Sequence, residues 1–128
     1  MTLATQVLRI LGCVSLAGCV STPFGQRMVT DPAELAQHKD GAHARVRGYL
    51  VFESHARQLW ASQAALGSNE IEHCFTLIDT RAHQGDLSRL NRSFVVIYGK
   101  VFRDVSSGYV DYGACGRTGI LVETVMAN

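Results

Sequence analysis

The strongest constraint on the fold is a pair of strand-forming runs, residues 44–52 and 94–102, each interrupted by one internal glycine, Gly48 and Gly99. In the first run the period is two. Val46, Leu50 and Phe52 fall on one face with Gly48 between them, and Arg45, Arg47 and Tyr49 fall on the other, the pattern of a half-buried strand. The second run, Phe94-Val95-Val96-Ile97-Tyr98-Gly99-Lys100-Val101-Phe102, is the most β-rich in the chain. A glycine in mid-strand gives up a packing side chain, and it suits the sharp bend that a small barrel requires. Two such strands predict a small, strongly curved sheet, one that closes on itself.

The remaining elements are shorter. Asp31-Pro32-Ala33-Glu34 has the form of a helix start, with a capping oxygen, proline at the first helical position and Glu three residues after the cap. A short helix is expected to about His38, ended by Lys39-Asp40-Gly41. A polar turn at residues 53–56 leads into a second strand over 57–62, and Gly67-Ser68-Asn69 places a loop over 64–70. Residues 71–79 read as a third strand with Ile71, Phe75 and Leu77 on one face. Leu87 and Leu90 behind Asp86 suit one or two helical turns before the fourth strand, and residues 119–125 form a fifth.

The order strand, strand, strand, short helix, strand, strand resembles that of the OB-fold, a five-stranded Greek-key barrel with its helix between the third and fourth strands. The resemblance covers residues 43–126 and rests on element order and the two mid-strand glycines. The fold class it implies is mainly β, a five-stranded OB-like barrel with short helices. The alternatives are an open five-stranded sheet covered by the Asp31 helix, or an immunoglobulin-like sandwich, which usually needs seven strands.

Near the start, Leu16-Ala17-Gly18-Cys19 places an aliphatic residue three positions before a cysteine, with two small residues between. Residues 10–17 before it are apolar but too few for the roughly 20 needed to span a bilayer, and Arg9 alone supplies a positive flank. The run resembles the lipobox of bacterial lipoproteins; the competing reading is a buried helix followed by a chance cysteine. The resemblance implies a signal peptide over 1–18, lipidation of Cys19 at the new N-terminus, a flexible tether over 19–29 and one domain over 30–128. Val20, where an aspartate would retain an enteric-type lipoprotein in the inner membrane, implies the outer membrane, facing the periplasm.

That compartment is oxidising, and it leaves Cys74 and Cys115 as the remaining thiols once Cys13 departs with the signal and Cys19 carries lipid. A disulfide is expected, closing a loop of about 40 residues and contributing on the order of 3 to 4 kcal/mol. The competing reading is a metal site using both thiols with His73 or His83. Loss of Arg9 brings the formal charge from +1 to zero, which argues against a nucleic-acid partner.

No catalytic set stands out. Ser54-His55 with Asp79 or Asp104 would make a hydrolase triad, but no nucleophile elbow accompanies them, and a solvated turn is the plainer reading. The histidines lack ligand spacing, and no phosphate-binding loop occurs. No enzyme activity, cofactor or metal is therefore expected. OB-folds bind across strands two and three and the adjoining loops, which makes His55, Arg57 and Trp60, with Tyr109 and Tyr112, the candidate binding residues. The counter-reading is that Trp60 closes one end of the core. Two functions follow: a non-catalytic, lipid-anchored envelope protein that holds another protein, or a module binding a small ligand or glycan.

Overall fold

Strand β2, Ala42–Glu53, serves two parts of one sheet. Its residues 42–49 pair antiparallel with 94–101 of β5 (Phe94–Phe102), and residues 49–53 pair with β3 (Ala56–Trp60). From β3 the pairing continues through β4 (Cys74–Ile78) to β6 (Gly119–Ala127), and from β6 back to β5. The β4–β6 pairing is parallel and the other pairings around this ring are antiparallel. A computed structural model of the chain, describing residues 27–105 and 115–128, thus has a mainly β architecture whose five strands close in the OB order. The helix Gln84–Arg89 lies between β4 and β5, as that order requires.

Both mid-strand glycines sit where backbones meet. A Cβ on Gly48 would lie 2.7 Å from the Trp60 carbonyl oxygen, at the point where β2 passes from β5 to β3. One on Gly99 would strike the Leu121 carbonyl oxygen, beside a register shift in the β5–β6 pairing.

The expected inner face of β2 is the inner face. Val46, Leu50 and Phe52 join Leu59, Phe75, Leu77, Val95, Ile97, Val101 and Ile120 in the barrel core, with Leu87 of the Gln84–Arg89 helix and Leu35 closing it. A second, smaller cluster, Val51, Trp60, Ala65 and Cys74, lies outside the ring. Its cover is a helix, Gln63–Gly67, where a loop was expected; the Ser62 side chain caps it by accepting from the Ala65 N–H at 3.0 Å.

Three other segments differ from expectation. Met28–Val29 forms a short strand, β1, parallel to β2, so the ordered domain begins inside the expected tether. The Asp31 helix is a single 3-10 turn, Pro32–Leu35, rather than a helix reaching His38. Its N-cap is as expected, with Asp31 accepting from Ala33 N–H at 3.0 Å, while Glu34 reaches one residue past the cap and accepts from the Thr30 hydroxyl at 3.1 Å. It stops because only Leu35 is buried, and one docked residue does not offset the cost of further helical turns. Finally, Ile71–His73 is a 3-10 turn and β4 begins at Cys74, which leaves Ile71 on the surface instead of sharing a face with Phe75.

Candidate functional site

The expected binding hairpin is largely committed to its own packing. Trp60 does point away from the barrel interior, out of phase with Leu59, yet it is 2% exposed because the Gln63–Gly67 helix covers it. Its indole N–H donates to the side-chain amide oxygen of Gln58 at 3.0 Å. Trp60 is therefore not an exposed anchor. The Arg57 guanidinium folds back over the Phe52 ring, 4.4 Å from its centroid, and donates to the backbone carbonyls of Glu53 and Ala56. His55 is exposed in the turn, and Tyr109, Tyr112 and the lipidation candidate Cys19 lie outside the described residues. At this end of the barrel Glu53 accepts from Arg92 and Asn91, and the Arg92 contact first of all holds its carboxyl below the usual carboxylate range. Of the two triad carboxylates, Asp104 pairs with Arg117 at 3.3 Å beyond the other end of β5, away from Ser54-His55.

A different place brings reactive and apolar groups together. Cys74, which opens β4, is bridged to Cys115 with a Cα separation of 6.0 Å, so the two thiols are joined to each other rather than to a metal. The bridge is buttressed. Cys115 N–H donates to the Thr76 hydroxyl at 3.2 Å, and that hydroxyl donates to the Gly116 carbonyl at 2.8 Å. Gly116 lies so close to the turn before β4 that a Cβ there would be 2.6 Å from the carbonyl oxygens of both Ile71 and Cys74.

Beside this bridge is a cleft of about 480 Å³. Its walls come from separate parts of the chain: Pro32 and Ala33, Ile71 and Glu72, Arg103, and Arg117. Ile71 is 49% exposed and is the one large apolar side chain among the described residues that is exposed. Arg103 and Arg117 stand on the rim, tied to Asp40 at 3.5 Å and Asp104 at 3.3 Å. Both ion pairs are solvent-facing and contribute little to stability, so each guanidinium can exchange its partner for a ligand's carboxylate.

The two turns that form the cleft are clasped by His73, whose Nδ1 lies 2.6 Å from Asp31 Oδ2. Asp31 thus caps the Pro32–Leu35 turn with one oxygen and holds His73 with the other. The hydrogen bond to Asp31 is the main cause raising the His73 pKa above 6.5, with the charges of Asp31, Glu72 and Glu70 adding to it. A histidine raised in this way stabilises the fold fully below its unfolded pKa, and the increment is lost as pH rises through the raised folded value. Parent and His73→Gln proteins are therefore expected to differ in denaturant midpoint below about pH 6 and to converge at alkaline pH. A difference that does not change with pH would show that the clasp is not ionic.

Sequence reasoning misses this cleft because its lining residues lie far apart in the chain. The available signal is the Cys74 and Cys115 pair, which marks where two of the walls must meet. Compared with family models, curated proteins and solved structures, the chain gives no match.

Proposed function

We propose that this is a non-catalytic, lipid-anchored protein of a bacterial outer membrane, facing the periplasm, whose barrel holds another envelope protein in the cleft beside the Cys74–Cys115 bridge. The observation that carries the binding half is Ile71, an exposed apolar side chain in a cleft rimmed by Arg103 and Arg117. An apolar floor between guanidinium groups suits a peptide segment carrying a hydrophobic residue and flanking carboxylates. Of the residues the glycan reading would use, Trp60 is buried and offers no exposed ring for stacking. The anchor rests on Leu16-Ala17-Gly18-Cys19, and a disulfide is the cysteine chemistry expected in the same compartment.

A photo-crosslinking residue in place of Ala33, in cells, tests the binding half. It is expected to give a discrete protein adduct that the same probe at Arg89, on the Gln84–Arg89 helix, does not give. Adding Ile71→Glu is expected to reduce that adduct by about tenfold or more, the effect of losing an apolar anchor worth about 1.4 kcal/mol. Identical adducts from positions 33 and 89, or an adduct indifferent to Ile71→Glu, would contradict the reading.

A further inference from the structure

The outer face of the β2–β5 ladder brings cationic and aromatic side chains together. Its register places His43 opposite Lys100, Arg45 opposite Tyr98, Arg47 opposite Val96 and Tyr49 opposite Phe94. All of these alternate with the core residues Ala44, Val46, Leu50, Val95, Ile97 and Val101, so they share the outward side. Arg47 lies over the Phe94 ring at 4.5 Å, Tyr49 meets the same ring edge-on at 5.3 Å, and His43 stacks on Tyr98 at 5.1 Å. Neither strand contributes a carboxylate to these rows. Glu123 of β6 approaches from the side and pairs with His43 at 3.1 Å, while no carboxylate among the described residues pairs with Arg47 or Lys100. On a chain with formal charge of only +1, this is a local concentration of cations among aromatic rings.

The chain's N-terminal side joins this face. β1 pairs Met28 with Arg45 and Val29 with Val46; Val29 and Val46 are both buried, so Met28 lies on the outward side beside Arg45. Between Cys19 and Met28 run nine residue steps, which span at most roughly 30 Å even fully extended. A lipid on Cys19 would therefore keep this face within reach of the leaflet that holds the lipid.

We propose that the Arg47–Phe94–Tyr49–Lys100 face lies against the anionic headgroups of that leaflet and orients the barrel on the membrane. This rests on the anchor reading above. The chemistry suits the interface: tyrosine rings settle at headgroup depth, arginine and lysine extend their charged ends to lipid phosphates, and Met28 and Met126 supply apolar flanks. One acyl anchor together with a basic patch is also a stronger membrane attachment than either alone. With the face turned to the membrane, the anchor and the docking cleft use different parts of the surface.

The chain's two lysines provide the test, since Lys39 is exposed in the turn before β2 and Lys100 lies on the face. The full-length, membrane-extracted protein is reconstituted into vesicles of phosphatidylcholine alone or of phosphatidylcholine with phosphatidylglycerol, then treated with an impermeant amine reagent. The Lys100 to Lys39 labelling ratio is expected to be at least about fivefold lower on the anionic vesicles, and Arg47→Gln is expected to recover about fivefold, the share of one basic residue at an anionic surface. Arg47→Lys is expected to behave as the parent. A ratio equal on both vesicle types, or one that Arg47→Gln leaves unchanged, overturns the proposal for the face while leaving the anchor standing. Protection of Lys100 by a single-stranded oligonucleotide but not by anionic vesicles overturns it in favour of nucleic acid. A chain that sediments with neither vesicle overturns the anchor and the orientation together.

Discussion

Replacing Cys74 and Cys115 together with alanine is expected to lower the unfolding free energy by about 4 kcal/mol, the chain-entropy value for a loop of 41 residues. Small domains have only about 5 to 15 kcal/mol in total, so this one substitution pair removes a large share. Alanine is the suitable replacement because Cys74 is 1% exposed, and a serine hydroxyl there would add the cost of a buried group without a partner. The effect extends beyond the crosslink. The bridge fixes residues 115–118 against the Ile71 turn, and these form two walls of the cleft, so the proposed capture of a partner there is expected to fall with stability. Urea unfolding gives the first quantity directly, and the melting temperature should fall by at least about 15 °C. A loss below about 1 kcal/mol would mean that the parallel β4–β6 pairing holds these segments unaided.

Gly99→Ala is expected to be nearly as damaging, on the order of 3 kcal/mol, the upper part of the range for forced overpacking. The new methyl would meet the carbonyl oxygen of Leu121 and lie 3.0 Å from its carbonyl carbon and 3.3 Å from the Ile120 side chain. Relief would require β5 and β6 to separate, because the obstacle is backbone and cannot rotate aside. The site is also where the β5–β6 register shifts, so separation there opens the ring. Gly67→Ala is the matched control: nothing lies within 4 Å of its added carbon, and stability is expected to hold or rise slightly. Equal midpoints for Gly99→Ala and the parent protein would contradict a ring closed through that contact.

The two mid-strand glycines also show how far the fold is legible in the sequence. Gly48 and Gly99 stand out because a glycine inside a strand sacrifices packing and suits a sharp bend, and the alternation around Gly48 places Val46, Leu50 and Phe52 inside; that other backbones approach these glycines is seen only in the structure. The covering of Trp60 is not legible. Its phase correctly puts it on the outer side, but the helix that buries it has five residues, too few for period or propensity to reveal, and it ends in Gly67-Ser68-Asn69, a loop signature. That helix forms because Ala65 docks on Trp60 and Val51, a tertiary cause. Ile71 misleads for the opposite reason. A β-branched residue just before Phe75 and Leu77 suggests strand, whereas the close approach of Gly116 to the Ile71 and Cys74 carbonyls leaves this position a turn. The cleft cannot be assembled from sequence because its walls meet through long-range contacts: the disulfide, the His73–Asp31 clasp and the parallel β4–β6 pairing.

The proposed anchor at Cys19 underlies both the proposed location and the proposed orientation, and an intact mass tests it. Protein extracted from membranes of cells expressing the full chain is predicted to lack residues 1–18 and to carry acyl groups on Cys19, while Cys19→Ala is predicted to remain an unacylated precursor or to leave the membrane. An unmodified chain that retains its first 18 residues, with Cys19→Ala fractionating as the parent does, would contradict the account.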